Sequence, residues 1–193
     1  MRSTLLLASN SPRRRELLVQ AGFTFEIFAP KISERFAVDL TLRELTAFNA
    51  IRKGMAAARL RPNNIVLAAD TLVAIDDHVL GKPEDREEAV AMLRRLSGRA
   101  HEVCTSVFIC HLAEAKSTSF HEISRVQFRR LGRGKIDNYL AQVNPLDKAG
   151  AYAAQGFGSE IIEKIDGSYT NVVGLPIEKT IPALAEFGLA PKR

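Results

Sequence analysis

Short apolar runs of strand length alternate with segments of helical period along nearly the whole chain, and this alternation limits the fold more than any other feature of the sequence. Residues 4–8 and 65–69 read as buried strands, and residues 24–29, 72–75 and 161–165 as further strand-like runs, the run at 65–69 stopping at Asp70 or continuing through 72–75. Ser11 followed by Pro12 is an N-cap with proline at the first helical position, which predicts a helix as far as Gly22. Thr41 and Glu44 have the spacing of a capping box, opening a helix whose apolar positions Leu45, Phe48, Ile51 and Met55 keep the helical period until Pro62 and Asn63. Asp85 and Glu88 repeat that start ahead of Val90, Leu93 and Leu96, with Gly98 as the stop. Residues 101–112 and 118–128 are long strand-like runs joined by a short polar turn, and are therefore predicted to be antiparallel. Ile136, Tyr139, Leu140 and Val143 mark a short helix, residues 145–158 a glycine-spotted loop, and Ile177, Ile181 and Leu184 a last helix with Pro182 as a kink or a late start. The pattern predicts an α/β protein with a mixed sheet, and 193 residues are enough for one domain with two lobes.

No apolar run approaches the roughly 18 residues of a membrane helix, and the apolar stretch after Arg2 is too short for a signal-peptide core. The expectation is a cytoplasmic protein that does not meet the membrane. Hydrophobic residues at 46% and charged residues at 25% exclude disordered and fibrous classes. Cys104 and Cys110 fall in one strand-like run, about 20 Å apart when extended, so they do not bridge each other and are expected buried and reduced. The four histidines, at 78, 101, 111 and 121, show no metal-binding spacing, and the last three are expected to decorate strand faces. The net charge of +5 fits a polyanionic partner. Because the basic residues are scattered, and the one dense cluster at 13–15 is not interleaved with aromatics, a nucleotide is favoured and nucleic acid is not expected.

The strongest local signal is the run Ser9, Asn10, Ser11, Pro12, Arg13, Arg14, Arg15, placed where a strand hands over to a helix. Free backbone N–H groups and the helix dipole favour an anion there, and hydroxyls and guanidinium forks add phosphate-specific contacts. A capped helix with solvated arginines is the plainer alternative, although arginines at the positive end of a dipole are locally unfavourable without an anion. Asp70 ends an apolar strand where doubly wound sheets place ligands, with Thr71 after it, and such a carboxylate serves to hold a metal, to activate water, or simply to form a turn. Lys82, between Gly81 and Pro83, is a presented cation or an ordinary turn. Residues 147–156 are rich in small side chains, as a loop closing on a ligand would be, or a tight connection. No Gly-x-Ser-x-Gly and no Walker-type glycine loop occurs, which sets aside serine hydrolases and P-loop enzymes.

Taken in order, Ala8-Ser9-Asn10-Ser11-Pro12-Arg13-Arg14 with Glu16-Leu17-Leu18, Ala69-Asp70-Thr71, Gly81-Lys82-Pro83, Asp147-Lys148-Ala149-Gly150-Ala151-Tyr152 with Gln155-Gly156, and Gly167-Ser168-Tyr169 with Val172-Val173-Gly174-Leu175-Pro176 resemble the Maf family over nearly the whole chain. Arg13 after the proline, Thr71 and Gln155 are similar to the branch acting on dTTP and UTP, where the 7-methyl-GTP branch usually carries tryptophan at the position of Arg13. The departures are small: Asn10 between the serines, Ala68-Ala69 before the aspartate, Ala153-Ala154 before Gln155, and Gly54 where alanine is usual after Lys53.

The resemblance implies an α/β fold of the Maf and inosine-triphosphatase-like kind, with a long mixed sheet flanked by helices and two lobes around a central cleft. It implies hydrolysis of a nucleoside triphosphate to the monophosphate and pyrophosphate, a divalent cation (Mg²⁺ or Mn²⁺) and a homodimer. Asp70 would be the proton acceptor, and Asp70 with Glu34 would hold the metal. Ser11, Arg13, Arg14, Lys53, Thr71, Lys82 and Gln155 would bind the substrate. Two other activities fit the same resemblance: a pyrophosphatase for modified nucleotides such as 7-methyl-GTP, and a nucleotide-binding regulator of septum formation that does not hydrolyse.

Overall fold

The computed structural model describes residues 4–32, 40–76 and 78–192. Along the chain these form strand β1 (Leu5–Leu7), helix α1 (Pro12–Gln20), β2 (Glu26–Ile27), α2 (Leu42–Leu60), β3 (Ile65–Ile75), β4 (His78–Leu80), α3 (Arg86–Leu96), β5 (Ala100–His111), β6 (Lys116–Phe128), α4 (Arg133–Gln142), α5 (Gly158–Ile161), β7 (Ile162–Asp166), α6 (Tyr169–Val173) and α7 (Ile177–Ala185). Single 3-10 turns lie at Leu112–Glu114 and Ala149–Ala151. The described strands make one seven-stranded sheet in the order β2-β1-β3-β5-β6-β7, with β4 paired to β3 off this path. β1 runs parallel to β2 and to β3, while β3–β4 and β6–β7 are antiparallel, so the sheet is mixed as the alternating pattern predicts. β5 and β6 are sheet neighbours joined across residues 112–115. That connection is too short for a parallel crossover, so they are antiparallel too.

The helix starts follow their sequence signals. Pro12 opens α1, whose arginine-rich first turn has no acidic residue. The Thr41 side chain and Glu44 form the reciprocal capping box at the head of α2, and Asp85 Oδ1 accepts the Glu88 N–H at 2.8 Å at the head of α3. Three expectations shift. β3 does not stop at Asp70 but continues to Ile75, because β4 folds back on it with Val73 opposite Leu80 and Ile75 opposite His78. β2 is only Glu26–Ile27 instead of 24–29, since an exposed edge strand with one neighbour has little to hold it longer. α7 runs through Pro182 and gives up one hydrogen bond of its ladder there.

The chain makes two compact units, the first of residues 1–70, 105–122 and 174–193 and the second of 71–104 and 123–173. In the first, Leu6 and Ala8 of β1, Val66 and Ala68 of β3 and Phe108 and Cys110 of β5 pack under Ala50, Ala57 and Ala58 of α2. From Ala50 onward the buried positions of α2 are alanine and glycine, which lets this part of the helix lie close to the sheet. The closest approach is at Gly54, where a Cβ would stand 2.5 Å from Phe108 Cδ1. In the second unit, Leu93 and Leu96 of α3 and Ile136, Tyr139 and Leu140 of α4 bury against Val73, Val103, Val126 and Phe128. Both cysteines are free and buried as expected, and burial pushes the Cys110 thiol up to about 11.

Candidate functional site

The serine- and arginine-rich run leaves β1 beside β3. Leu7 sits opposite Leu67 and the Ala8 N–H donates to the Leu67 carbonyl at 2.8 Å, so the loop from Ser9 emerges level with Ala69 and Asp70 of the parallel neighbour. This is the carboxyl end of β1 and the amino end of α1, where backbone donors and the helix dipole favour an anion. Ser11 occupies the N-cap with extended backbone, yet its side chain makes no capping hydrogen bond, which leaves that hydroxyl for another acceptor or donor. Ser9 is buried, and its Oγ accepts both the Ser11 N–H at 3.2 Å and an Arg14 Nη1–H at 3.1 Å. Arg14 is itself buried and sends its Nε–H to the Gly174 carbonyl at 2.8 Å. The three arginines therefore divide: Arg14 ties the loop to the polypeptide, Arg13 is half-buried, and Arg15 is exposed.

Asp70 is 2% exposed, which for a carboxylate demands compensation. Lys53 supplies the charge, with Nζ 2.5 Å from Oδ1, and the Asn49 amide donates to Oδ2 at 3.3 Å. Asn49 and Lys53 are one helical turn apart on α2 and so share a face. One turn earlier on the same stripe, the Thr46 hydroxyl meets Ser106 Oγ of β5 at 2.7 Å. The reach of Lys53 depends on how closely α2 lies on the sheet. Gly54, the departure from the usual alanine, is the residue that permits the approach. Sequence reasoning named Asp70 and Lys53, which the structure pairs, and passed over Asn49. The signal was there, since Asn49 stands four residues before Lys53, but an asparagine in a helix carries no motif of its own.

Thr71, Lys82 and Gln155 belong to the second unit. Thr71 follows Asp70 on β3, and successive strand side chains point to opposite faces. Lys82 is exposed in the loop after β4. That loop is joined to residues 149–151 by a hydrogen bond from the Gly150 N–H to the Gly81 carbonyl at 2.9 Å. Gly150 has φ +67°, and a Cβ there would stand 3.1 Å from Val73 Cγ2, so a side chain at this position would be strained in its backbone and crowded by Val73. Gln155 is half-buried in the turn ahead of α5. The Gly167–Asn171 part of the sequence pattern is structural: the Asn171 amide donates to the Val103 carbonyl at 3.0 Å and to Ser124 Oγ at 2.9 Å. His101, expected on a strand face, is buried instead, with Nε2 2.7 Å from the Tyr152 hydroxyl.

Glu34, the second expected metal ligand, lies outside the described residues. Among the described residues no three His, Cys, Asp or Glu side chains stand together as a metal cluster. What the structure offers a divalent cation is the single buried Asp70 carboxylate level with the anion loop. That donor set fits Mg²⁺ or Mn²⁺ bound through one or two carboxylates with substrate phosphates and water completing the shell, not an all-protein cage. Among the described residues no helix is long and apolar enough to cross a membrane.

The chain is similar to known proteins over nearly its whole length. A dTTP/UTP pyrophosphatase of Bacillus pumilus (strain SAFR-032) is 45% identical over 187 residues, covering 97% of this chain and 98% of that protein. One of Pelotomaculum thermopropionicum is 44% identical over 184 residues, covering 95% and 96%. Among solved structures, a HAM1 protein from Coxiella burnetii shares the fold at a TM-score of 0.56 and 17% identity, over 96% of this chain and all of that one. The family described as Maf-like protein matches residues 4–187, and the chain belongs to that family.

Proposed function

We propose that this protein hydrolyses nucleoside triphosphates, dTTP and UTP foremost, to the monophosphate and pyrophosphate. The observation that carries the reading is the buried Asp70, oriented by Lys53 and Asn49 and level with the Ser9–Arg14 loop. The relatives named dTTP/UTP pyrophosphatase support it over almost their full length. The same reading places the enzyme in the cytoplasm as a homodimer.

A triphosphate brings about four negative charges that must be offset before a nucleophile reaches the α-phosphorus. The α1 amino end, the Ser11 hydroxyl, Arg13 and Lys82 take phosphate oxygens, while Arg14 keeps the loop in place through Ser9 and Gly174. Lys53 holds the Asp70 carboxylate and brings a positive charge beside the reacting phosphate. Asp70 accepts the proton of the attacking water as the new P–O bond forms and the bond to pyrophosphate breaks in line with it. Asp70 and Glu34 would hold the divalent cation, which supplies charge neutralisation and a more acidic bound water. Gln155 reads the base, because an amide carries both the donors and the acceptor that match a pyrimidine imide edge. Arg13 and Thr71 are the further specificity positions.

Asp70→Asn is the test. The variant keeps the side chain's shape and folds, and kcat for dTTP falls by at least about a hundredfold, as loss of a positioned base does. Hydrolysis near the wild-type rate would make Asp70 structural, and orthophosphate in place of pyrophosphate would overturn the reaction itself.

A further inference from the structure

The segment that carries Gln155 has almost no regular structure, and it is held by two tyrosine hydroxyls, one reaching it from α4 and one reaching from it to β5. The Ala153 N–H donates to Tyr139 Oη of α4 at 3.0 Å, and Tyr152 Oη is paired with His101 Nε2 of β5 at 2.7 Å. Between these ties and the Gly150–Gly81 bond the backbone is left-handed at two consecutive residues, Gly150 at φ +67° and Ala151 at φ +63°. A residue with a Cβ keeps that conformation only where its surroundings fix it. Ala151 is fully buried, so the surroundings do.

His101 is the unusual member. Its ring packs edge-on against Phe128 and Tyr152, with centroids 4.9 and 5.4 Å away, and Phe128 and Tyr152 meet at 4.8 Å. Phenylalanine would fill this place without burying a polar atom. Histidine leaves Nδ1 buried with no hydrogen-bond partner among the described residues, and burial lowers its pKa to about 4, so the ring is neutral near pH 7. The one thing the imidazole adds to the packing is the bond to Tyr152.

We propose that the His101–Tyr152 hydrogen bond, together with the Tyr139 hydroxyl, clamps the Gln155 segment in its reading position. His101, Tyr152 and Tyr139 are then positioning residues for base discrimination, not catalytic ones. The proposal builds on the reading of this protein as a pyrimidine triphosphate pyrophosphatase, and its test separates the two.

The experiment measures kcat and KM for dTTP and CTP, together with urea stability, on wild type, His101→Phe, Tyr152→Phe, the double variant and Gln155→Ala. His101→Phe and Tyr152→Phe each lower the dTTP preference about three- to tenfold, the span of one hydrogen bond, and mostly through KM. The double variant loses no more than the singles, because both remove the same bond. A purely structural role would instead shift the urea midpoint and leave the preference alone. Preferences within twofold of wild type in both single variants overturn the clamp, and if Gln155→Ala still erodes the preference, the base-reading role survives without it. If Gln155→Ala changes nothing while the clamp variants do, the clamp stands and another residue of the segment reads the base. Should the ring variants not fold, amide exchange on wild type decides. An Ala153 N–H protected well beyond that of exposed Gly156 supports the clamp, and equal exchange refutes it.

Discussion

Replacing Gly54 by alanine sets two effects of similar size against each other. An alanine in a helix interior is favoured over glycine by about 1 kcal/mol, so propensity alone makes Gly54→Ala stabilising. The added Cβ, however, would stand 2.5 Å from Phe108 Cδ1, 3.1 Å from Phe108 Cε1 and 3.2 Å from Ala68 Cβ. Ordinary carbon contacts begin near 3.5 Å, so the ring must retreat or the helix must lift by about 1 Å. Phe108 is 6% exposed and Ala68 not at all, which leaves little room for either. Overpacking of this kind costs about 1–3 kcal/mol, so the net result is a loss of about 1 kcal/mol. Lifting α2 also draws Lys53 and Asn49 away from Asp70, and misplacement on that scale lowers kcat/KM for dTTP by about tenfold or more. Urea unfolding and initial rates read both effects. Adding Phe108→Leu makes room for the methyl group, so the double variant is more stable than the sum of the two singles. A Gly54→Ala protein that gains about 1 kcal/mol and keeps full activity would show that α2 is not held at the sheet by this contact, and would refute the reasoning.

Two further outcomes follow from the site and its surroundings. His101 has a folded pKa of about 4 against 6.5 for the free side chain, so the unfolded chain takes the proton first. Stability owed to the neutral ring is intact above pH 6.5 and falls as the pH drops from 6.5 to 4, by something of order 3 kcal/mol. His101→Phe removes that slope, and parallel losses in wild type and variant across urea titrations at pH 7, 5.5 and 4.5 would contradict the assignment. Turnover of dTTP stops on chelation with EDTA and returns with Mg²⁺ or Mn²⁺; full activity with no metal left by elemental analysis would remove the cation from the scheme.

Much of this arrangement was legible because the signals were local. Ser11-Pro12 placed the start of α1, Thr41 with Glu44 that of α2 and Asp85 with Glu88 that of α3, since each start is set within one turn of its own sequence, by proline at the first helical position in α1 and by side-chain caps in α2 and α3. Asp70 and the arginine-rich turn were singled out on equally local grounds, Asp70 as the end of a strand that runs on to Ile75. What escaped depends on residues distant in sequence. Nothing around Asn49 says that it will meet Asp70, and nothing around His101 says that the loop fifty residues later will bring Tyr152 to it. The plain expectation that His101 decorates a strand face failed because Phe128 and Tyr152 cover that face of β5 at His101, while its neighbour Glu102 is exposed. The length of β3 was uncertain because an aspartate is a poor strand residue, and only the lysine from α2 and the return of β4 let the strand continue past it.

The tie between Arg14 and the Gly174 carbonyl spans 160 residues, and it places the anion loop in time as well as in space. On a ribosome adding about 5–20 residues per second, α1 leaves the tunnel roughly ten to thirty seconds before its anchor has been made. Until then the guanidinium of Arg14 has only Ser9 among these two partners to hold it, and the loop has its composition but not its shape. On the proposed reading of this loop, a nascent chain therefore lacks one of the ties that fix the phosphate site until nearly the whole protein exists. A truncated product that ends before Gly174 carries the whole arginine motif without the long-range tie that fixes Arg14.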